Sequence, residues 1–177
     1  MRLNTLAIAT ALTSALFAAN TMAAGDGSLG ATSTGQSDVT LTIANQAQIT
    51  GVDNIGLGTF DGSTDLVGQT AFCVYRSGGD NYNMTVSITG KTTFEVESAT
   101  TSDTIGFTAQ IDGDNDASNG SAILEGGTSA NYTGSGALDC GSADNASLEV
   151  TFAAADLRAA SSAADYTATM QILVTPI

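Results

Sequence analysis

The residue types in this chain that offer chemistry are few, and the acidic run "DGDNDASNG" is the most suggestive group among them. It carries three alternate carboxylates, Asp112, Asp114 and Asp116. Carboxylates at this spacing on a tight loop can direct oxygen ligands at calcium, as they do at the start of an EF-hand loop. The match ends at Ala117 and Ile123, where that loop needs a glycine and a bidentate glutamate. A solvated acidic loop is the leading interpretation, and a weak surface calcium site is the alternative; no other cofactor is expected.

The two cysteines, Cys73 and Cys140, predict a disulfide bond. An even number of cysteines in an exported chain is most simply explained by such a cross-link. Because the chain has no histidine, two thiolates are too few for a closed tetrahedral zinc site. In the chain-entropy model, closing a loop of this length stabilises the fold by about 4 kcal/mol.

Catalytic constellations are nearly absent from the sequence. The lack of histidine excludes Ser–His–Asp and Cys–His triads, and neither a Gly-x-Ser-x-Gly elbow nor a phosphate-binding Gly-Lys-Ser/Thr loop occurs. An acidic hydrolase using two carboxylates is a weaker alternative. Sugar sites usually add aromatic platforms, and this chain has no tryptophan and four tyrosines. We therefore expect a protein that is not an enzyme.

Residues 1–24 have the pattern of a secretory signal peptide. One early arginine precedes an apolar stretch from Leu6 to about Ala19, and small residues follow at Ala23 and Ala24. The apolar stretch is shorter than the roughly 20 residues that span a bilayer. We expect cleavage after Ala23 or Ala24, no membrane insertion of the mature chain, and export through the periplasm to the cell surface or the medium.

Cleavage would leave three cationic side chains against 18 carboxylates, a net charge of −15. A surface this acidic cannot neutralise phosphates, so nucleic acid is excluded as a partner, and anionic membrane surfaces are disfavoured for the same reason. The simplest role of the charge is solubility in salty water. The remaining chain of about 150 residues has the size of one domain with a substantial core.

Two-residue alternation of apolar and polar side chains recurs along the mature chain and predicts strands. A Gly/Ser/Thr-rich arm at 25–37 precedes a first strand at 38–44, in which Val39, Leu41 and Ile43 share one face. Further strands are predicted at 70–76, 81–90, 92–98, 104–112, 146–153 and 165–177. One helical turn is expected within 153–164. The pattern indicates a single all-β domain over 38–177, an antiparallel sandwich, and we expect its core to include Val39, Leu41, Ile43, Val86, Ile88, Phe107, Val150, Phe152, Tyr166, Met170 and Ile172.

The order of these features resembles a known group of proteins. After the signal peptide, arm and first strand come "ITGVDNIGLGTFDG", the cysteine-bearing "FCVYRSGGDNYNMTVSITG" and the last strand "YTATMQILVTPI". This arrangement is similar to the secreted bacterial pilin-like sandwiches, namely chaperone–usher fimbrial subunits and spore-coat-U-like proteins. The resemblance implies an Ig-like or pilin-like β-sandwich.

The same resemblance implies a function. It predicts a noncatalytic structural subunit of a bacterial surface fimbria or coat-like assembly, which polymerises or adheres and whose partners are further copies and a periplasmic assembly chaperone. In such assemblies an N-terminal arm fills the apolar groove of the next subunit, a role that Val39, Leu41 and Ile43 would take here. The alternative is a monomeric calcium- or ligand-binding sandwich in which this strand is the domain's own first strand.

Overall fold

The computed structural model of this protein describes residues 25–162 and 166–177. The predicted signal peptide lies outside the described residues. The chain divides into two units, Met1–Ile43 and Ala44–Ile177. In the described part of the first unit, the backbones of Gly25 and Gln36 exchange two hydrogen bonds, of 3.1 and 2.9 Å.

The second unit confirms the predicted all-β fold. Its described residues form eleven strands: β1 Ala47–Thr50, β2 Leu66–Arg76, β3 Asn81–Ile88, β4 Glu95–Ser98, β5 Thr104–Gly106, β6 Thr108–Asp112, β7 Ser121–Ile123, β8 Tyr132–Thr133, β9 Ala146–Phe152, β10 Tyr166–Thr167 and β11 Met170–Pro176. The expected helical turn is present as α1, Ala154–Ala159, and three 3-10 turns cover Ser77–Gly79, Ala117–Asn119 and Cys140–Ser142. No helix in the described part of the chain is long and apolar enough to cross a membrane.

The strands form three antiparallel sheets. The largest has the order β1-β2-β9-β6-β7, and the others have the orders β11-β3-β8 and β10-β4-β5. The five-stranded sheet and the β11-β3-β8 sheet pack face to face, because one apolar cluster draws on both. Sheets that bury one face against each other in this way make a sandwich.

The alternation along β3 shows why these residues form this layer. Tyr82, Met84, Val86 and Ile88 are buried, while the polar residues between them lie on the other face. This is the two-residue period of a strand with one face in the core. Strand β9 differs, because Ala146 and the next four residues are buried on both faces at the centre of the five-stranded sheet.

Aromatic rings connect the main cluster to a second cluster near the β10-β4-β5 sheet. The Phe107 ring lies 5.4 Å from that of Phe94 and 4.9 Å from that of Phe152. Ile105, Val150 and Phe152 form the buried part of this second cluster. Offset aromatic packing at such distances adds to the stabilisation gained by burial.

One lateral side of the sandwich is closed by the chain itself. After β7 leaves the five-stranded sheet, the chain crosses to β3, where Gly126 N donates to Val86 O and Ser129 N to Met84 O, both at 2.8 Å. Strand β8 continues this pairing with β3. Residues 124–133 thus link the two layers, and we call this the closed side.

Two predicted strands are interrupted in the structure. The stretch 104–112 breaks at Phe107, so that β5 pairs with β4 while β6 joins the five-stranded sheet. The stretch 165–177 likewise divides into β10 and β11, which pair with different strands. An alternating pattern indicates which face of a strand is apolar, but it does not indicate where the strand changes its pairing partner. Both interruptions were therefore missed.

Candidate assembly site

The predicted assembly strand is solvent-exposed. Val39, Leu41 and Ile43 are 94, 83 and 76% exposed, and residues 38–44 form no strand. The prediction that these three residues belong to the core is therefore wrong, because alternation specifies an apolar face without specifying the sheet that covers it. Of the other expected core residues, Val86, Ile88, Val150 and Phe152 are buried, and the rest are partly buried against the core: Phe107, Tyr166, Met170 and Ile172.

Opposite the closed side, the sandwich ends in two edge strands. Strand β1 pairs only with β2, and β11 pairs only with β3 among the described strands. We call the side between β1 and β11 the open side. An edge strand presents a row of unpaired N–H and C=O groups, which is a template for pairing with another chain.

The core is also incompletely covered at the open side. The inward row of β11 consists of Met170, Ile172 and Val174, which are partly buried. Their direct partners on β3 are Ile88, Val86 and Met84, and these are at most 5% exposed. The open side thus combines a partly buried apolar row with two free strand edges, to which a further strand could add.

The exposed arm has the dimensions of such a strand. Residues 38–44 equal in length the seven-residue strand β11. The three apolar side chains of the arm recur every second residue, which is the spacing at which a strand places side chains on one face. An extended segment of this kind can add backbone hydrogen bonds along a sheet edge and place alternate side chains in apolar pockets.

The acidic loop does not gather its carboxylates at one point. Asp114 Oδ1 accepts from Asp116 N at 2.8 Å, and Asp116 Oδ1 accepts from Ser118 N at 3.0 Å. Asp112 Oδ1 accepts from the neighbouring Gly113 N. The bonds from Ser118 lower the pKa of Asp116. Within the described residues no three Asp, Glu, Cys or His side chains converge as metal ligands.

The disulfide between Cys73 and Cys140 is present, with Cα atoms 5.7 Å apart. It joins the centre of β2 to the 3-10 turn that precedes β9. Cys140 has a φ of 52°, in the left-handed region that non-glycine residues seldom adopt. The cross-link thus holds a strained turn against the five-stranded sheet.

A cleft of about 270 Å³ beside α1 brings two carboxylates together in its lining, Asp103 and Asp156. Asp103 Oδ2 accepts from Ser161 N at 2.8 Å and from the Tyr166 hydroxyl at 3.1 Å. These bonds, the one from Ser161 first, lower the pKa of Asp103. A glycosidase general acid needs a raised pKa, so this cleft offers no support for the hydrolase alternative.

Sequence reasoning missed two features of the open side. One is the partial exposure of the β11 inward row, which looks like any other core row in the sequence. The other is the burial of Arg76, although a cation within the apolar strand "TAFCVYR" is a visible signal. No protein-family model and no curated protein matches the sequence of this chain.

Proposed function

We propose that this chain is a noncatalytic, exported structural subunit of a bacterial surface fimbria or coat-like assembly. In this proposal the 38–44 segment of one copy adds to the open side of the next copy. The subunit polymerises through burial of a repeating interface, and a periplasmic assembly chaperone covers the open side beforehand. Cell-surface attachment is the role of the finished assembly.

The observation that carries the proposal is the presence, in one chain, of a free edge strand with a partly buried apolar row and an exposed apolar segment of matching length. The inward row of the edge strand β11 is only partly buried, and Val39, Leu41 and Ile43 are exposed. Transfer of apolar side chains out of water contributes about 25 cal/mol per Å². A segment and a groove on different copies form a head-to-tail contact, which extends into filaments when it does not close into a ring.

Export and the disulfide agree with this role. A disulfide persists in oxidising compartments such as the periplasm and the cell surface. The predicted signal peptide would deliver the chain there. The acidic surface keeps free subunits soluble through mutual repulsion.

The test compares two leucine variants of the exported protein. Leu41 is placed in the interface, whereas Leu29 is an equally exposed leucine of the same unit outside the predicted strand. Leu41→Asp should abolish long oligomers, because a carboxylate would be buried in an apolar groove. Leu29→Asp introduces the same charge and should assemble as the unmodified protein does. Light scattering and negative-stain microscopy at matched concentrations measure both.

Filaments formed equally by the Leu41→Asp protein would refute the proposal. So would a protein that stays monomeric at every concentration, both alone and after release from a periplasmic chaperone.

A further inference from the structure

The last residue of β2, Arg76, is a buried cation. Its side chain is 1% exposed, although arginine is among the residues least often buried. The ion pairs found in the described residues involve Lys91 with Glu95 and Glu97, and none of them involves Arg76. Four oxygens accept hydrogen bonds from its guanidinium.

These oxygens come from three separate parts of the chain. Arg76 Nη1 lies 3.5 Å from Gln46 O and 3.0 Å from Ser77 Oγ. Nη2 donates to Ile177 O at 3.2 Å, and Nε donates to Asn81 O at 3.2 Å. The Ser77 hydroxyl also accepts from Gln46 N at 3.1 Å. The N–H and the C=O of Gln46 are thus both hydrogen-bonded to the Arg76–Ser77 segment.

The positions of these acceptors place the guanidinium at the open side. Gln46 directly precedes β1, and Ile177 directly follows β11. One rigid, planar group therefore joins the two strands that border the open side, at one of its ends. The donors of a guanidinium point in fixed directions, so the group also fixes the distance between the oxygens it joins.

We propose that Arg76 is a positioning residue of the strand-acceptor site, an inference that rests on the proposed function. By holding the start of β1 against the end of β11, it orders the two free strand edges to which the arm of another copy would add. Binding then requires less ordering of the acceptor, and such preorganisation favours association. Arg76 contributes to assembly without contacting the core row of β11.

The experiment uses the full exported chain with Leu41→Asp, which has an intact open side and an inactive arm. The probe is a fluorescently labelled peptide of residues 36–45. Its association rate is measured by stopped-flow anisotropy with and without a second change, Arg76→Lys. Lysine keeps the charge, but a single nitrogen cannot span the three acceptor segments. We expect association to slow about tenfold, as the loss of preorganisation predicts.

A matched control separates positioning from general loss of stability. Ile111 is buried on β6, away from the open side, and Ile→Val there should lower the free energy of unfolding by about 1 kcal/mol. The Leu41→Asp/Ile111→Val protein should bind the peptide at the rate of Leu41→Asp alone. Urea unfolding of each protein provides the comparison of stabilities.

The outcomes are distinct. If the Leu41→Asp protein does not bind the peptide, the proposed function fails. If it binds, and Arg76→Lys leaves the rate unchanged or slows it no more than Ile111→Val does, Arg76 is not a positioning residue. If Arg76→Lys prevents folding, Ser77→Ala removes one acceptor on the β1 side and replaces it in the test. Ser77→Ala also removes the bond from Gln46 N. A slowing of about twofold or more, as expected for loss of these two hydrogen bonds, supports the inference, and an unchanged rate overturns it.

Discussion

The closed side and the open side border the same core but are completed differently. On the closed side, residues 124–133 cross between the layers and hydrogen-bond to β3. On the open side, β1 and β11 end the two sheets with no strand between them in the described chain, and one arginine joins their ends. Within the three-stranded sheet, the central strand β3 buries its inward row fully, and the edge strand β11 on the open side buries its row only partly.

In the proposed function, the chain is folded and can still bind a further strand. The closed side is bridged by the chain itself, while the open side keeps two strands with unpaired backbone edges. Natural proteins usually protect such an edge, because it invites association. In the proposed function, the acidic surface opposes nonspecific association, and the free edges of β1 and β11 would direct assembly to the open side.

The largest expected effect tests whether both sides belong to one cooperative unit. Replacing Cys73 and Cys140 together by alanine should lower the free energy of unfolding by about 4 kcal/mol, because the unfolded chain gains loop entropy. Urea unfolding followed by circular dichroism should still give one transition. Two separate transitions would contradict a single cooperative sandwich.

The next prediction compares the central strand β3 with the edge strand β11 of the open side by the same truncation. Met84 is fully buried on β3, and Met170 is partly buried on β11. Met84→Ala should lower the free energy of unfolding by about 3 kcal/mol, and Met170→Ala by about 1 kcal/mol, because a partly exposed side chain loses less buried surface and leaves a smaller cavity. Equal losses in urea unfolding would contradict the incomplete core on the open side.

A smaller effect is expected where the segment after β8 passes Arg76. A Cβ at Gly134 would lie 2.3 Å from the Cβ of Arg76, whereas one at Gly136 would have no heavy atom closer than 3.8 Å. Gly134→Ala should therefore lower the melting temperature by an amount corresponding to about 2 kcal/mol, the usual cost of overpacking. Gly136→Ala is the control and should change it little. Similar melting temperatures for both variants would refute the close packing of Gly134 against Arg76.

The smallest effect concerns how stability depends on pH at Asp103, whose carboxylate accepts hydrogen bonds from Ser161 and Tyr166. The hydrogen bonds from Ser161 and Tyr166 lower the pKa of Asp103 in the folded state. Its contribution to stability is thus present above the unfolded pKa of about 4 and is lost as the pH falls through the lower folded pKa. Thermal melts should show the Asp103→Asn protein losing less stability than the unmodified protein when the pH falls below about 4. Equal losses of stability in the two proteins would contradict a stabilising role for the hydrogen bonds of Asp103.

Much of the fold was predictable because strand alternation and turn residues are local signals. The buried row of β3 and the strand β9 lay where the pattern placed them. The short strands β7 and β8 were missed because two or three residues carry too little pattern to detect. The division at Phe107 was missed because its aromatic partners come from distant parts of the chain.

The sequence by itself determined the all-β class, the disulfide pair and the apolar face of Val39, Leu41 and Ile43, because each depends on residue type and short-range spacing. Only the tertiary structure decided that this face is exposed, that the inward row of β11 is partly buried and that Arg76 joins the ends of β1 and β11. Those features depend on which strands become neighbours, and neighbours are set by packing between residues far apart in the chain. Alternation specifies that a strand has an apolar face, and tertiary packing determines whether the same chain covers it.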